Sequence, residues 1–425
     1  MTNKRNSKRL SQVDESANNG GALGETYFGS RIWLNNVGKD GRATNTASGG
    51  GYLFTNEEEI KEQRKGVWDM VKKLGGALLE GKDLVSVSLP VYIFEPRSFL
   101  QRLPDIWAFH SLLTDAADQK DPVQRFIRII AFGIAGLHQT CVQKKPFNPI
   151  LGETFEGSFS HSSDPSKDIH LFVEQTSHHP PITAYEAQGK DFRLHGYCGY
   201  QASIRGNALK GGQIGPTFIE FESDGAVIQY SQPLLWLKGI CWGDRVLEYY
   251  DKMSFTDAKN QLTCDIQFNP DQKSFLGSFF SSQKTPVDYV KGEVKKDGQV
   301  IGVIEGSWLG NVYYLPNQTS DSLSSMKEKE KSELEKLELF NIAAQMPRYL
   351  RPSDNPLPSD ARFREDAVAL RNGDQELSQL KKEELENKQR KERQLRKTGS
   401  SKTSLSSANS QSGTDLVTAI NNNQN

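Results

Sequence analysis

From Phe155 to about Leu315 the chain is a succession of short runs rich in Phe, Tyr, Ile and Val, separated by Gly, Asn, Asp and Ser. The runs include Phe192–Ile204, Thr217–Phe221, Ala226–Tyr230, Leu234–Trp242, Arg245–Tyr250, Gln261–Phe268, Asp288–Val294, Val300–Trp308 and Asn311–Leu315. Such spacing predicts consecutive antiparallel strands. An open sheet of this size would leave long unpaired edges, so closure or near-closure is expected. The 36 glycines suit its tight turns and strand bends. A barrel of many strands encloses a cavity instead of filling it with side chains. The expected class is therefore α+β, mainly β: a large, near-closed antiparallel barrel around a cavity, with helices N-terminal and C-terminal to it.

The flanks read differently. Residues 1–60 are rich in Asn, Ser, Gly and Thr and are expected to be mostly disordered, with an apolar patch at Tyr27–Leu34. In Val67–Leu79 the residues Val67, Met70, Val71, Leu74 and Leu78 fall on one helical stripe, opposite Asp69, Lys72 and Lys73. From the sequence alone that stripe reads as a short surface helix packed on a core. A strand-like piece ends near Phe94, and a helix with Pro96 in its first turn is expected after it. Asp121 and Pro122 are placed as N-cap and first residue of a second helix, whose Val123, Phe126, Ile127, Ile130, Ile134 and Leu137 keep helical spacing. The charged run Ser325–Leu339 reads as a solvated helix, and Arg362–Leu370 and Gln375–Lys397 as further helices. From about Thr398 the Ser/Asn/Gln-rich tail reads as disordered.

The segment with most chemistry is His170–Tyr185, HLFVEQTSHHPPITAY. It opens as a strand and presents His178 and His179. Pro180 and Pro181 follow, and a central ladder does not continue through two prolines. The pair should therefore sit at a strand end or sheet rim. Two imidazoles can ligate a metal, act as acid and base, or donate N–H bonds to an anion. Metal binding is disfavoured because adjacent strand residues point to opposite faces and no Cys or carboxylate cluster stands at ligand spacing. Nucleophilic catalysis is disfavoured because Ser177 lacks a G-x-S-x-G elbow and an evident third partner. Anion binding asks least, and a pair that merely finishes a strand asks nothing.

Glu174–Pro181, EQTSHHPP, resembles the E-Q-x-S-H-H-P-P signature of the oxysterol-binding-protein-related (Osh/ORP) lipid-transfer family. Lys144–Glu153, KKPFNPILGE, resembles its K-P-x-N-P-x-L-G-E segment, and Lys382–Arg390, KEELENKQR, its terminal K-x3-E-x3-R helix. Weaker similarity runs from about Gly66 to Lys397. The resemblance implies a lid at residues 61–94 over a lipid tunnel and a ligand-binding domain at 95–397; the segments 1–60 and 398–425, read as disordered from composition, lie outside it. Lid residues would be Val67, Trp68, Val71, Leu74 and Leu78. The resemblance also implies that Lys145, Asn148, His178, His179, Lys382, Glu386 and Arg390 bind the headgroup of phosphatidylinositol 4-phosphate. The cations would meet phosphate oxygens, a guanidinium bidentately. The histidines would donate N–H bonds, and Asn148 and Glu386 would hold inositol hydroxyls or orient the cations. Lys382, Glu386 and Arg390 stand at i, i+4 and i+8, along one side of a helix. Gln139 and Gln213 align with polar residues that meet a sterol hydroxyl in sterol-binding relatives. Thr140 and Cys198 depart from the tyrosine and asparagine of that pattern.

The implied function is extraction of a sterol and phosphatidylinositol 4-phosphate into a lidded tunnel and their exchange between membranes. A phosphatidylserine exchanger and a non-transferring lipid sensor or scaffold are the alternatives. No enzyme, metal site or cofactor is expected. With 52 Lys and Arg against 53 Asp and Glu, the net charge is −1, which gives no global signature for nucleic acid. Cys141, Cys198, Cys241 and Cys264 stand far apart and suit reduced thiols in cytosol. No signal peptide or membrane span is expected, so the expectation is a cytosolic monomer that meets organelle membranes transiently.

Overall fold

The computed structural model describes residues 42–403 except 44, 75–87, 162 and 271–284. The chain enters through β1 (Tyr52–Leu53) and α1 (Glu57–Leu74), then β2 (Phe94–Ser98), α2 (Phe99–Arg102), α3 (Ser111–Ala117), α4 (Pro122–Ala135) and β3 (Lys145–Phe147). The strand-rich region follows as β4 (Thr154–Phe159), β5 (Ile169–His178), β6 (Pro181–Gly189), β7 (Phe192–Arg205), β8 (Ala208–Ile214), β9 (Pro216–Phe221) and β10 (Val227–Ser231). It continues as β11 (Leu234–Lys238), β12 (Val246–Asp257), β13 (Leu262–Phe268), β14 (Tyr289–Lys296), β15 (Gln299–Ser307) and β16 (Asn311–Pro316). Helical turns α5 (Ser320–Ser325) and α6 (Glu328–Ser332), strands β17 (Leu337–Asn341) and β18 (Arg351–Pro352), and helices α7 (Glu365–Arg371) and α8 (Gln375–Thr403) complete it.

Sixteen of these strands form one sheet, all its pairs antiparallel. Strands β7 and β12 are long enough to change partners along their length. The first half of β7 pairs with β9 and its second half with β8. The first half of β12 pairs with β11 and its last residues with β10. Since β8 pairs with β11 and β9 with β10, six strands close a hydrogen-bonded circuit. Strands β6, β5, β4 and β18 extend the sheet beyond β7, and β13 to β17 beyond β12. The main strand order ends at β17 and β18, with β1 a short edge strand on β12, and residues 342–350 carry the chain from β17 to β18. Their crossing is pinned where Arg348 N donates to Ala108 O at 2.7 Å. The near-closed antiparallel barrel expected from the strand spacing is what forms.

Side-chain alternation shows which face is inside. Along β5, Ile169, Leu171, Val173 and Gln175 are buried while His170, Phe172 and Thr176 are exposed, the period of two of a strand with one buried face. Asp121 caps α4 by accepting from Val123 N, and Phe126, Ile127, Ile130 and Ile134 are fully buried. Gly136 ends α4 against the chain at Ile106: a Cβ there would lie 1.7 Å from Ile106 O, so only glycine fits. Phe109 packs edge-on against Phe340 of β17 at 5.0 Å, joining the helical plug to the sheet edge.

Four expectations need correction. Residues 42–60 are not a disordered arm. Tyr52 and Leu53 pair with Leu247 and Val246, and α1 starts at Glu57 with Asn56 Oδ1 accepting from Glu59 N at 3.2 Å. Pro96 lies within β2 and not in a helix. It is tolerated because β2 pairs irregularly with β3 alone, leaving no ladder for the missing N–H to break. The charged run 325–339 is not one helix: α6 stops at Ser332, and Leu337–Asn341 becomes β17, where pairing with β16 buries Leu339 and Phe340. At the C-terminus, α8 continues to Thr403, past the expected boundary at 398.

Of the expected lid residues, Val67 and Val71 pack, with buried Met70, on a cluster of Leu89, Val91, Phe94, Phe147, Ile204 and Ile240. Trp68 turns outward, 47% exposed. Leu74 is the last residue of α1, and Leu78 lies outside the described residues. The first turns of α1 are fixed by polar contacts: Gln63 Oε1 accepts from Arg245 at 2.7 Å, and Arg64 donates to Gly239 O at 3.3 Å.

Candidate lipid-headgroup site

The site is built from three chain segments, two of which meet over Phe94 while the third reaches the backbone at Pro149. The first is β3 and the turn after it. Lys145 Nζ stands 5.1 Å from the centre of the Phe94 ring and donates to Asn148 Oδ1. Behind it, Phe147 packs on Phe94 with ring centres 4.8 Å apart. The second segment is α8, where Lys382 Nζ reaches the same Phe94 ring at 5.9 Å. The two ammonium groups therefore share one aromatic platform, an arrangement favoured by cation–π attraction but opposed by their like charge.

Glu386 offsets part of the cluster's positive charge. It pairs with Lys382 at 2.7 Å one turn before it and with Arg390 at 3.1 Å one turn after it. Ser88 Oγ donates to the same carboxylate at 3.0 Å and accepts from Lys382 Nζ at 2.8 Å. Lys382 is 5% exposed, whereas the Arg390 side chain is 63% exposed, so the triplet runs from a buried cation to a solvated one. The i, i+4, i+8 spacing thus forms the ladder expected of it on one helix face.

The third segment is the β5–β6 hairpin. His178 pairs across it with Pro181, so His179 and Pro180 form its two-residue turn, and the His179–Pro180 bond is cis. The expectation that the two imidazoles point to opposite faces fails, because the strand ends at His178. Their rings meet edge to face, 4.7 Å apart. The hairpin is stapled by other groups: Thr183 Oγ1 donates to Gln175 Oε1 at 2.5 Å, and Ser177 Oγ to Pro180 O at 2.7 Å. His178 hydrogen-bonds the backbone of Pro149, which joins the hairpin to the Lys145 segment. Its Nδ1 is buried without a hydrogen-bond partner. Burial, then His179, lowers the His178 imidazole below its ordinary value, and Arg393 and Arg396 of α8 add to this. A neutral imidazole still donates one N–H. Among the described residues no group of three or more His, Cys, Asp or Glu is placed to hold a metal ion.

Reading the sequence missed the residue that holds these segments in register. Arg364, just before α7, donates to Asn148 O at 2.6 Å and pairs with Glu153 at 3.1 Å and Asp366 at 2.6 Å. Arg364 is 8% exposed, Glu153 2% and Asp366 0%. Glu153 was visible as the last residue of KKPFNPILGE. Nothing in sequence spacing links it to a cation more than two hundred residues later.

Gln139 and Gln213 are not joined by any recorded contact. Gln139 is buried and its Oε1 accepts from Tyr349 Oη at 2.6 Å, while its Nε2 has no partner. Gln213, on β8, accepts from Tyr200 Oη at 3.1 Å. Tyr200 is 36% exposed and packs edge-on against Phe99 at 4.6 Å, yet burial raises its hydroxyl well above the ordinary value. Thr140 contacts Tyr249 Oη, and Cys198 is buried in β7 with its thiol pushed up to about 12 by burial.

Lys145 carries a consequence for pH. Burial, then Lys382 and Arg364, lowers its ammonium to about 7, with Glu386 opposing. A bound phosphate supplies a negative charge and raises that value. Below about pH 7 Lys145 is charged with or without ligand and contributes no pH dependence. Above it, binding must take up a proton, so affinity falls as pH rises, by up to about tenfold per pH unit. A phosphomonoester is already largely dianionic there, its second pKa being about 6. The expected result is phosphate-ester binding at this site that weakens between pH 7 and 9 in the native protein and stays flat in Lys145→Arg, whose guanidinium keeps its charge.

Comparison with known proteins agrees with this architecture. The sequence model described as oxysterol-binding protein matches residues 67–408. Oxysterol-binding protein 9 of Dictyostelium discoideum is 37% identical over 372 residues, 83% of this chain and 80% of that protein. Oxysterol-binding protein-related protein 8 of Homo sapiens is 32% identical over 269 residues, 62% of this chain but 29% of that longer protein. Among solved structures, the Osh1 ORD domain in complex with cholesterol matches with a TM-score of 0.63 at 24% identity, over 79% of this chain and 80% of that one. The Osh3 ORD from Saccharomyces cerevisiae in complex with PI(4)P matches with a TM-score of 0.58 at 22% identity, over 78% of this chain and 85% of that one. At these identities the solved structures speak to the fold.

Proposed function

Because the chain belongs to the oxysterol-binding protein family, we propose that it extracts a sterol and phosphatidylinositol 4-phosphate from membranes, one at a time, and exchanges them between bilayers. The observation that carries this reading is the convergence of Lys145, Lys382, Glu386 and the His178–His179 turn around Phe94 and Pro149. A headgroup phosphate would take over the partners that Glu386 now serves. The histidines would donate from the hairpin side and the ammonium groups from the α8 side. Of the structural neighbours, the Osh1 domain was solved with cholesterol and the Osh3 domain with PI(4)P, so both lipid classes occur with this fold.

The lid and the headgroup site share one apolar cluster. Val67, Met70 and Val71 of α1 pack on the same Phe94 whose ring lies under Lys145 and Lys382. Headgroup binding and lid closure therefore act on common contacts. Closure supplies the main energy of transfer: enclosing several hundred Å² of lipid surface is worth on the order of 10 kcal/mol at roughly 25 cal/mol/Å². No bond to the lipid is made or broken. Among the described residues no helix is long and apolar enough to cross a membrane, which fits visits to the bilayer surface.

Sedimentation of liposomes holding labelled sterol, phosphatidylinositol 4-phosphate or phosphatidylserine tests the cargo. Sterol and the phosphoinositide should leave with the protein, each excluding the other. Extraction of phosphatidylserine in place of sterol would change the second cargo. Extraction of none would leave a sensor or scaffold.

A further inference from the structure

A second cavity lies at the other end of the β4–β5 hairpin from His178. Residues 160–168 join these strands, and β5 runs ten residues before it reaches His178, roughly 30 Å at strand rise. The cavity has a volume of about 300 Å³ and is lined by His110, Ser111, His161, Gln345, Met346 and Arg348 among others. His110 is 2% exposed, and neither of its ring nitrogens has a hydrogen-bond partner. Its ring lies against Phe159 at 5.1 Å, which fixes its plane. Gln345 Oε1 is also buried without a partner.

The protonation states follow from geometry. His161 Nδ1 faces the backbone N–H of Asp164 at 3.2 Å and of Ser163 at 3.4 Å, so it accepts and the proton sits on Nε2. Burial, then Arg348 and His161, lowers the His110 imidazole to about 4, with Asp168 opposing, so at neutral pH it is a neutral ring with one N–H. Asp168 itself is engaged, accepting from His161 N at 2.8 Å. The wall thus offers one full cation, Arg348, with N–H donors from two neutral imidazoles, an amide and a hydroxyl. A cation with several neutral donors suits an oxyanion. The volume is that of about ten waters at ~30 Å³ each, room for a phosphate and the polar alcohol that carries it. Gln345 Oε1 and the unprotonated nitrogen of His110 would accept from that alcohol's hydroxyls.

We propose that this cavity is a second binding site, for a phosphomonoester, independent of the headgroup site at the tunnel mouth. The same chemistry is presented by a soluble phosphate ester and by a monoester lipid headgroup. The crossing segment 342–350 supplies Gln345 and Arg348, so the ligand would brace the chain where it spans the gap between β17 and β18.

The test uses the full chain and two probes: glycerol 3-phosphate by calorimetry, and vesicles containing phosphatidic acid by flotation. Arg348→Gln is the main variant, because Arg348 is exposed and its loss does not threaten folding. A thermal melt checks that it is folded. His178→Ala with His179→Ala serves as the control for the other site. Binding that survives the double-histidine change and weakens at least tenfold in Arg348→Gln supports the proposal. If glycerol 3-phosphate shows this behaviour the source is soluble, and if only the vesicles show it the source is a lipid. Absence of binding to both probes at millimolar phosphate overturns it. So does binding that is indifferent to Arg348→Gln or abolished by the double-histidine change.

Discussion

Replacing His178 and His179 together by alanine is expected to abolish phosphatidylinositol 4-phosphate extraction and leave sterol extraction near its native level. A hydrogen bond to a charged group is worth about 1.5–3 kcal/mol, and two are lost. Affinity should therefore fall at least about a hundredfold. The fold should survive, because the hairpin is held by bonds of Ser177 to Pro180 and of Gln175 to Thr183, and by the β5–β6 ladder, not by the imidazoles. His178 loses its contact to Pro149 in this variant, so a small loosening of the Lys145 segment is expected as well. Lipid extraction measured side by side for the two cargoes decides the matter. Equal loss of both would mean that the histidines act on the container and not on one headgroup.

Arg364→Leu is expected to destabilise the protein by about 3–5 kcal/mol, the usual cost of stranding buried charges by removing one partner. Two carboxylates lose their cation at once. Asp366 is held bidentately, with Nε to Oδ1 at 3.0 Å and an Nη to Oδ2 at 2.6 Å, and Glu153 is held at 3.1 Å. Burial already raises the Glu153 carboxyl, with Arg364 and Ser98 as the main opposing groups. The same change frees Asn148 O from its donor and with it the turn that carries Lys145. Phosphoinositide binding should therefore fall along with stability. Urea denaturation reads the first effect, and a shift below about 1 kcal/mol would contradict it. Arg364→Lys keeps the charge but not the fork, and should fall between.

The barrel was legible because its strands keep a period of two over a buried face, as β5 and β13 show residue by residue. Strands also carry their own punctuation, so Phe192–Ile204 and Thr217–Phe221 match β7 and β9 within a residue at either end. The two-sided pairing of β7 and β12 was not legible, since a partner change leaves no mark on alternation. The first half of helix α1 was overlooked because it is polar and only the stripe from Val67 onward was read as helical, though Asn56 followed by Glu57, Glu58 and Glu59 is an N-terminal signal that could have found it. Strand β17 was hidden at the end of a charged run whose propensity is helical, and edge pairing overrode that propensity. At the site, the motif residues could be named from resemblance, and Lys382–Glu386–Arg390 also from helical spacing. The role of Arg364 is a tertiary fact, because its partners Asn148 and Glu153 lie 216 and 211 residues away.

Sterol delivery between two liposome populations tests the central claim most directly. Donor liposomes carry sterol, and acceptor liposomes carry either neutral lipid alone or neutral lipid with phosphatidylinositol 4-phosphate. An exchanger should deliver sterol faster when the phosphoinositide is in the acceptor and should return it to the donor in the same period. The His178→Ala, His179→Ala variant should keep the slow basal delivery and lose the acceleration. Sterol delivery that does not respond to the phosphoinositide, or no delivery beside tight lipid binding, would contradict exchange and leave a lipid-binding protein that senses without carrying.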